Sequence, residues 1–182
     1  MITYIQNDLS QNTGDFTIAY FHQPPYSKGS HDSDDLYEEV MRAMREQIVP
    51  VLESFDVDII LCGHSHVYER SFLIKNHYGN SGSWDPATQL VNGTNGSMAM
   101  GTPYVKEKFN QQHDGSVYVV CGHSGSENSD GPMNHPIFCH GDNGAGVTGS
   151  FVMDVYRNRL DGKYLRSDGS IQDEFTILKK NI

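Results

Sequence analysis

Basic residues are scarce in this chain of 182 residues, where 13 Lys and Arg stand against 23 Asp and Glu and the net charge is −10. Binding of nucleic acid requires clustered Lys and Arg that neutralise the phosphates, so we expect no nucleic-acid partner. A phosphorylated small molecule is still compatible with this charge, because a bound metal cation would reverse the local field. The charge therefore excludes one class of partner but leaves phosphate chemistry open.

Cysteines and long apolar runs are also few. The three cysteines, Cys62, Cys121 and Cys139, form no disulfide framework and leave one thiol unpaired. Cys62 and Cys121 lie in apolar runs, and we expect both to be buried as small hydrophobic residues. No apolar run approaches the roughly 20 residues that a membrane-spanning helix requires, and mean hydropathy is −0.52, so no membrane partner is expected. The first residues lack the basic and apolar regions of a signal peptide.

The first third of the chain contains a β-α-β pattern. Residues 16–21 are nearly all β-branched or aromatic and predict a strand. Apolar residues recur at helical spacing over about 34–54, where Pro50 predicts a kink. The apolar run 57–62 predicts a second, buried strand. Two strands joined through a helix are parallel, so their carboxyl ends meet at the same edge of the sheet.

Histidines follow both of these strands. His22 comes directly after the first strand, and Gly63, His64, Ser65 and His66 follow the second. Open α/β sheets place ligand sites at the carboxyl ends of their strands, and neutral imidazole is the commonest metal-ligand side chain. We therefore expect His22, His64 and His66 to lie close together and to bind metal. The alternative is that they are exposed polar residues at strand ends.

The rest of the chain completes a single domain over residues 1–182, of class α/β (α+β). Residues 76–115 are polar and rich in Gly, Asn and Ser, which predicts a long loop. An antiparallel meander is expected at the carboxyl end. The remaining predicted elements are a short helix over 2–11, an extended segment over 67–74, a strand over 116–121 and the three strands of the meander, 150–156, 159–166 and 174–178.

The two histidine motifs together resemble a known family. Segment 22–27 (HQPPYS) followed by segment 63–70 (GHSHVYER) is similar to the calcineurin-like metallophosphoesterases, most of all to their purple acid phosphatase branch. Segments 115–122 and 158–161 resemble the carboxyl end of that branch. The resemblance covers nearly all of the chain outside the loop. It implies part of a β-sandwich flanked by helices, namely the carboxyl-terminal half.

The resemblance also implies a chemistry. In that family two adjacent metal ions activate a hydroxide that hydrolyses phosphate esters. It implies that His22 and His64 bind one ion and His66 the other, the ions being divalent or trivalent Zn, Fe or Mn. His31 is implied as an outer histidine that contacts the phosphate or protonates the leaving group. A secreted or periplasmic location is implied in the same way.

One part of the family pattern is missing. The family places an aspartate, a bridging aspartate in Gly-Asp and an asparagine in Gly-Asn-His before the position of His22, and Asp15, Asn134 and Asp142 do not match them in spacing or order. We therefore expect a phosphoesterase that is incomplete or inactive as this chain alone. Its expected partner is a second copy in a homodimer, or a separate amino-terminal half. The alternatives are a non-catalytic metal-binding or assembly fragment, and histidines that are purely structural remnants.

Other polar residues are interpreted as structural. We expect Tyr26 and Tyr68 to be buried with satisfied hydroxyls, and Glu69 and Arg70 to form an ion pair. Three further histidines complete this group: His123 as a strand end lining the cleft, and His135 and His140 as surface residues of a glycine-rich loop.

Overall fold

Two β-sheets and a layer of short helices make up the described part of the computed structural model, which is residues 1–107, 114–126, 131–144 and 146–180. The helices are α1 (Ile2–Ser10), α2 (Glu39–Ala43), α3 (Val49–Ser54) and α4 (Pro86–Gln89), with a π-helical turn at Met44–Ile48 and a 3₁₀ turn at Ser81–Ser83. The strands are β1 (Ile18–Phe21), β2 (Ile59–Cys62), β3 (Tyr68–Ser71), β4 (Tyr104–Glu107), β5 (Val117–Cys121), β6 (Phe138–Asp142), β7 (Gly149–Tyr156), β8 (Arg159–Arg166) and β9 (Ile171–Lys180).

The central sheet has the order β1-β2-β5-β3-β6. β1, β2 and β5 are parallel, as the β-α-β pattern predicts for the first two, whereas β3 runs antiparallel to both of its neighbours. Phe21 lies opposite Cys62 in the register of β1 and β2. The Gly63 amide then donates a hydrogen bond of 3.0 Å to the His22 carbonyl oxygen. The two histidine segments therefore leave the sheet side by side.

The predicted helix over 34–54 is interrupted and starts later than expected. It begins only at Glu39. The Asp34 carboxylate could cap a helix that starts near residue 34, but it lies 3.1 Å from Lys28 Nζ and accepts a hydrogen bond from the Ser81 amide instead. A π-helical turn separates α2 from α3, and Pro50 stands in the first turn of α3. A proline has no amide hydrogen to donate to the preceding turn, so the break falls where a kink is predicted.

The second sheet has the order β4-β9-β8-β7. The predicted antiparallel meander is confirmed as β7, β8 and β9, with β9 longer than the expected 174–178. β4 lies within the predicted loop and pairs in parallel with β9, so the expectation of a loop is wrong there. Buried Lys106 anchors β4, because its Nζ lies 2.9 Å from the Asp58 carboxylate and 3.0 Å from that of Asp56. The predicted loop also includes residues 108–113, which lie outside the described residues.

Two apolar cores hold these layers together. Neighbouring residues of a strand point to opposite faces, so Ile60 packs towards the helices and Ile59 towards the second sheet. The helix-side core includes Leu52 and Tyr118, and the inter-sheet core includes Phe175 among others. The expected sandwich with flanking helices is therefore confirmed. No helix among the described residues has the length and apolar character needed to cross a membrane.

Several structural expectations are confirmed and others are wrong. Tyr26 and Tyr68 are buried, and their hydroxyls donate to the His77 carbonyl oxygen and to the Asp173 carboxylate. Cys62 is buried, whereas Cys121 is only half-buried. The expected Glu69–Arg70 pair is wrong. Adjacent residues of a strand point to opposite faces, and Arg70 binds Asp173 while Glu69 bonds to Ser27.

Candidate metal centre

Three imidazoles meet at the carboxyl edge of β1 and β2. His22 Nε2 lies 3.3 Å from His64 Nδ1, with the ring centroids 5.1 Å apart and the rings edge to face. The His31 ring lies over that of His64 at a centroid distance of 3.9 Å. The β-α-β pattern accounts for the His22–His64 contact, and the loop after β1 returns His31 to the same place.

The backbone at His64 is held in an uncommon conformation. Its φ of +62° lies in the left-handed region, which non-glycine residues seldom adopt. Backbone strain of this kind persists where the surrounding structure imposes it, and it often occurs at functional sites. Here the restraint comes from Gly122, whose amide donates to the Val67 carbonyl oxygen and where a Cβ would overlap the Ser65 carbonyl oxygen. The loop after β5 thus packs tightly against the segment that follows His64.

A buried polar network joins the two histidine loops. The Ser27 hydroxyl lies 2.6 Å from the Glu69 carboxylate and 2.8 Å from the Ser65 hydroxyl. The His31 amide donates to the Ser65 hydroxyl, and the His66 amide donates to the Ser30 hydroxyl at 2.8 Å. Burial raises the pKa of Glu69 to about 7. This network holds the two histidine loops together.

The carboxylate of Glu38 also belongs to this cluster, and the sequence analysis did not identify it. Glu38 approaches His31 Nδ1 at 2.5 Å and His64 Nε2 at 3.7 Å. Burial is the main cause that lowers the pKa of His64, with the charge of His31 acting in the same direction and that of Glu38 opposing it. His64 is therefore neutral near pH 7 and has a lone pair to offer. In the sequence Glu38 is one of several acidic residues between 32 and 39, and no spacing signal singles it out.

His66 is less closely associated with the other three. The positive charge of its protonated ring helps to lower the pKa of His123. Within the described ranges no hydrogen bond or ring contact joins the His66 side chain to His22 or His64. Its role as ligand of a second ion stays a prediction. An open groove of about 740 Å³ begins at His22 and runs along Phe21 and Cys121. Of these four histidines, His22 is the one that lines this groove.

Three further histidines among the described residues, His123, His135 and His140, lie outside this cluster. His123 is buried and its Nε2 hydrogen-bonds the Tyr164 hydroxyl, so it does not line an open cleft. His135 is 2% exposed, which makes the expectation of a surface residue wrong. Its ring contacts those of Tyr26 and His77. His140 lies on β6 and is half-buried, 3.7 Å from Asp173. Its expected surface position is only partly right.

The donor set of the site fits one metal ion. Imidazoles and a carboxylate are suitable ligands for Zn, Fe or Mn, and His31, Glu38 and His64 have donor atoms within 4.8 Å of one another. Among the described residues Glu38 is the carboxylate that stands with these imidazoles. A pair of ions would need further oxygen ligands, including one that bridges them.

Known proteins are similar to this chain in sequence over part of its length and in fold over nearly all of it. Residues 3–68 match the sequence profile of the family described as calcineurin-like phosphoesterase. Among solved structures, purple acid phosphatase PPD1 from yellow lupin (Lupinus luteus) seeds is similar with a TM-score of 0.72 and 21% identity, over 98% of this chain and 28% of that one. No curated protein sequence matches the chain.

Two other solved structures share the fold. GAP50, the anchor in the inner membrane complex of Plasmodium, is similar with a TM-score of 0.59 and 15% identity, over 99% of this chain and 42% of that one. PhoD is similar with a TM-score of 0.58 and 12% identity, over 98% of this chain and 33% of that one. The chain thus spans between about a quarter and two fifths of the length of these proteins.

The resemblance to the calcineurin-like metallophosphoesterases is thereby confirmed, in sequence over residues 3–68 and in fold over nearly the whole chain. Within that class, the likeness extends to a purple acid phosphatase, the branch that the two histidine motifs indicate.

Proposed function

We propose that this chain carries the histidine part of a metal-dependent phosphoesterase that hydrolyses phosphate esters. The observation that supports this proposal is the contact of His22 Nε2 with His64 Nδ1 at 3.3 Å, at the carboxyl ends of adjacent parallel strands. The sequence match to calcineurin-like phosphoesterases over residues 3–68 supports it independently.

Each histidine has a proposed role. His22 and His64 hold one ion and His66 holds a second, with Zn, Fe or Mn as the candidate metals. His31 contacts the phosphate or protonates the leaving group, and Glu38 on its Nδ1 fixes the orientation of its ring. A bound ion supplies Lewis-acid polarisation of the phosphate and lowers the pKa of water. The open groove beside His22 admits the substrate.

Hydrolysis by this chain alone is expected to be weak. The described residues offer one carboxylate to the imidazoles, which suits one ion, whereas the proposed chemistry uses two. Full activity therefore needs further oxygen ligands from outside these residues, for example from a second copy or from an amino-terminal half.

Phosphate binding tests the proposal without requiring full activity. We expect the chain loaded with Zn²⁺, Mn²⁺ or Fe to bind inorganic phosphate in isothermal titration, and to hydrolyse p-nitrophenyl phosphate only slightly above a buffer blank with the same metal. His64→Ala should abolish both, because His64 belongs to the His22–His64 pair and also to the cluster with His31 and Glu38. His140→Ala is the matched control, since it removes an imidazole on β6 and should preserve phosphate binding.

Phosphate binding that is independent of metal, or equal in the wild type and His64→Ala, would contradict the proposal. Metal binding without phosphate binding would favour the non-catalytic metal-binding or assembly fragment. Robust turnover would show that the chain needs no further ligands.

We also propose that the chain self-associates through β1. This strand is at the end of the central sheet, and within the described ranges its outer edge pairs with no other strand. Tyr20 on β1 is 83% exposed, and an apolar groove lies between β1 and α1. Unprotected edges of this kind pair readily with another chain.

Size-exclusion chromatography with light scattering should therefore detect a dimer at micromolar concentration. Tyr20→Lys should shift the distribution towards the monomer, because a charge on an edge strand opposes edge pairing. Tyr37→Lys is the control, since Tyr37 is also exposed but lies outside every strand. A well-behaved monomer for the wild type over the same concentration range would rule this proposal out.

A further inference from the structure

The two ring nitrogens of His64 face different partners. Its Nδ1 lies 3.3 Å from His22 Nε2, whereas its Nε2 lies 3.7 Å from Glu38 Oε2. A neutral imidazole has one lone pair, so it coordinates an ion through one nitrogen at a time. His64 can therefore bind an ion on the His22 side or on the Glu38 side, but not on both together.

The Glu38 side has the more complete set of donors. His31 Nδ1 approaches Glu38 Oε1 at 2.5 Å and the His31 and His64 rings are 3.9 Å apart, so three donor groups converge there within 4.8 Å. Two imidazoles and a carboxylate form a recurrent ligand set for Zn²⁺ that leaves the fourth position open. The carboxylate adds a negative charge that partly compensates the cation, whereas the His22 side offers only imidazoles.

The site on the Glu38 side is also preorganised. The left-handed backbone of His64 sets the direction of its Cα–Cβ bond. The Ser65 hydroxyl accepts a hydrogen bond from the His31 amide, which holds the two loops together. All three side chains are only partly buried, so an ion can reach them from solvent.

We propose that this chain binds a single divalent cation through His31 Nδ1, the Glu38 carboxylate and His64 Nε2, using the nitrogen of His64 that faces away from His22. The inference rests on the metal dependence of the proposed function. It adds that an ion held here makes His31 a ligand, so His31 is then unavailable to contact a phosphate. The single-ion form is consequently a binding state with at most weak hydrolysis, and assembly of the two-ion site requires His64 to change nitrogen.

Long-range ¹H–¹⁵N correlation NMR during titration with Zn²⁺ tests this assignment directly in the intact chain. We expect the resonances of His31 Nδ1 and His64 Nε2 to move to the positions of ligated nitrogens, with saturation at one ion per chain. Movement of His22 Nε2 and His64 Nδ1 with no change at His31 would overturn the inference and leave the proposed function standing. No movement at any imidazole would overturn both.

Substitutions provide a second readout by isothermal titration with Zn²⁺. Glu38→Gln keeps the size of the side chain and should weaken Zn²⁺ binding at least tenfold, because the amide loses the anionic donor. Glu39→Gln removes the neighbouring, exposed carboxylate and should change the affinity less than threefold. His22→Ala removes the other neighbour of His64 and should weaken Zn²⁺ binding less than Glu38→Gln does. A tenfold loss in His22→Ala with none in Glu38→Gln would overturn the inference, and it would favour the His22–His64 arrangement of the proposed function.

Discussion

Replacement of Arg70 by methionine should lower the free energy of unfolding by about 3–5 kcal/mol, because it leaves Asp173 as a buried charge without its partner. Arg70 is 3% exposed. Its Nε and Nη2 donate to the two Asp173 oxygens at 2.5 and 2.8 Å, which is the bidentate geometry of strong charge-assisted bonds. Its Nη1 also donates to the Asn95 carbonyl oxygen and to the Tyr104 hydroxyl.

The large effect arises because Arg70 connects three strands of two sheets. It lies on β3 of the central sheet, whereas Tyr104 and Asp173 lie on β4 and β9 of the second sheet. The guanidinium also lies 4.8 Å from the centroid of the Phe175 ring, inside the apolar core between the sheets. Loss of this group thus affects the contact between the two sheets as well as one ion pair.

Urea unfolding followed by circular dichroism measures the effect. Arg159→Met is the control, because Arg159 bonds to Asp161 at 2.7 Å on the surface and such pairs contribute about 1 kcal/mol or less. The double variant Arg70→Met with Asp173→Leu should recover part of the loss, since no buried charge is then left alone. Equal losses in Arg70→Met and Arg159→Met would contradict this account of the sandwich.

Acidification from pH 6.5 to pH 4 should also destabilise the chain, through two buried histidines. Burial is the main cause that lowers the pKa of His77 to about 4 and that of His135 to about 3. Below the ordinary value of 6.5 the unfolded chain binds protons that these folded imidazoles reject, so stability falls as the pH falls towards 4 and 3. Each histidine can remove up to about 1.4 kcal/mol per pH unit in this window.

The two rings share one pocket, and this strengthens the effect. Their centroids are 6.0 Å apart and Tyr26 packs against both. The Nε2 of His135 has no hydrogen-bond partner in the part of the chain that the structure describes, so a proton placed there gains no new contact. Glu69 acts in the opposite direction. Because its folded pKa is raised to about 7, its contribution to stability grows as the pH falls from 7 towards 4.5.

Thermal unfolding at several pH values separates these contributions. The double variant His77→Phe with His135→Phe keeps two aromatic rings in the pocket and should show little loss of melting temperature between pH 6.5 and 4. His140→Phe is the control, and it should keep the pH dependence of the wild type. The same acid sensitivity in the double variant and the wild type would exclude the two buried histidines as its cause.

The sequence determined by itself those features that depend on short-range pattern. The β-branched and aromatic run at 16–21 and the apolar run at 57–62 are enough to predict two strands. The helix predicted between them is enough to make the strands parallel. The contact of His22 with His64 follows, because parallel neighbours end at the same edge. The meander of β7, β8 and β9 is predicted in the same way, from strand-like segments separated by short turns.

The tertiary structure alone decided which side chains meet across large separations. Glu38 lies near His64 because the loop after β1 folds back over the end of β2. Arg70 binds Asp173, which is 103 residues away in the sequence. β4 pairs with the edge of β9, and Lys106 of β4 forms an ion pair with Asp58. Neither partner can be identified from the residues of β4 alone. The spacing of apolar residues along a helix or strand indicates which of its faces is buried. The partner of a polar group depends on how distant elements pack, and local sequence does not contain that information.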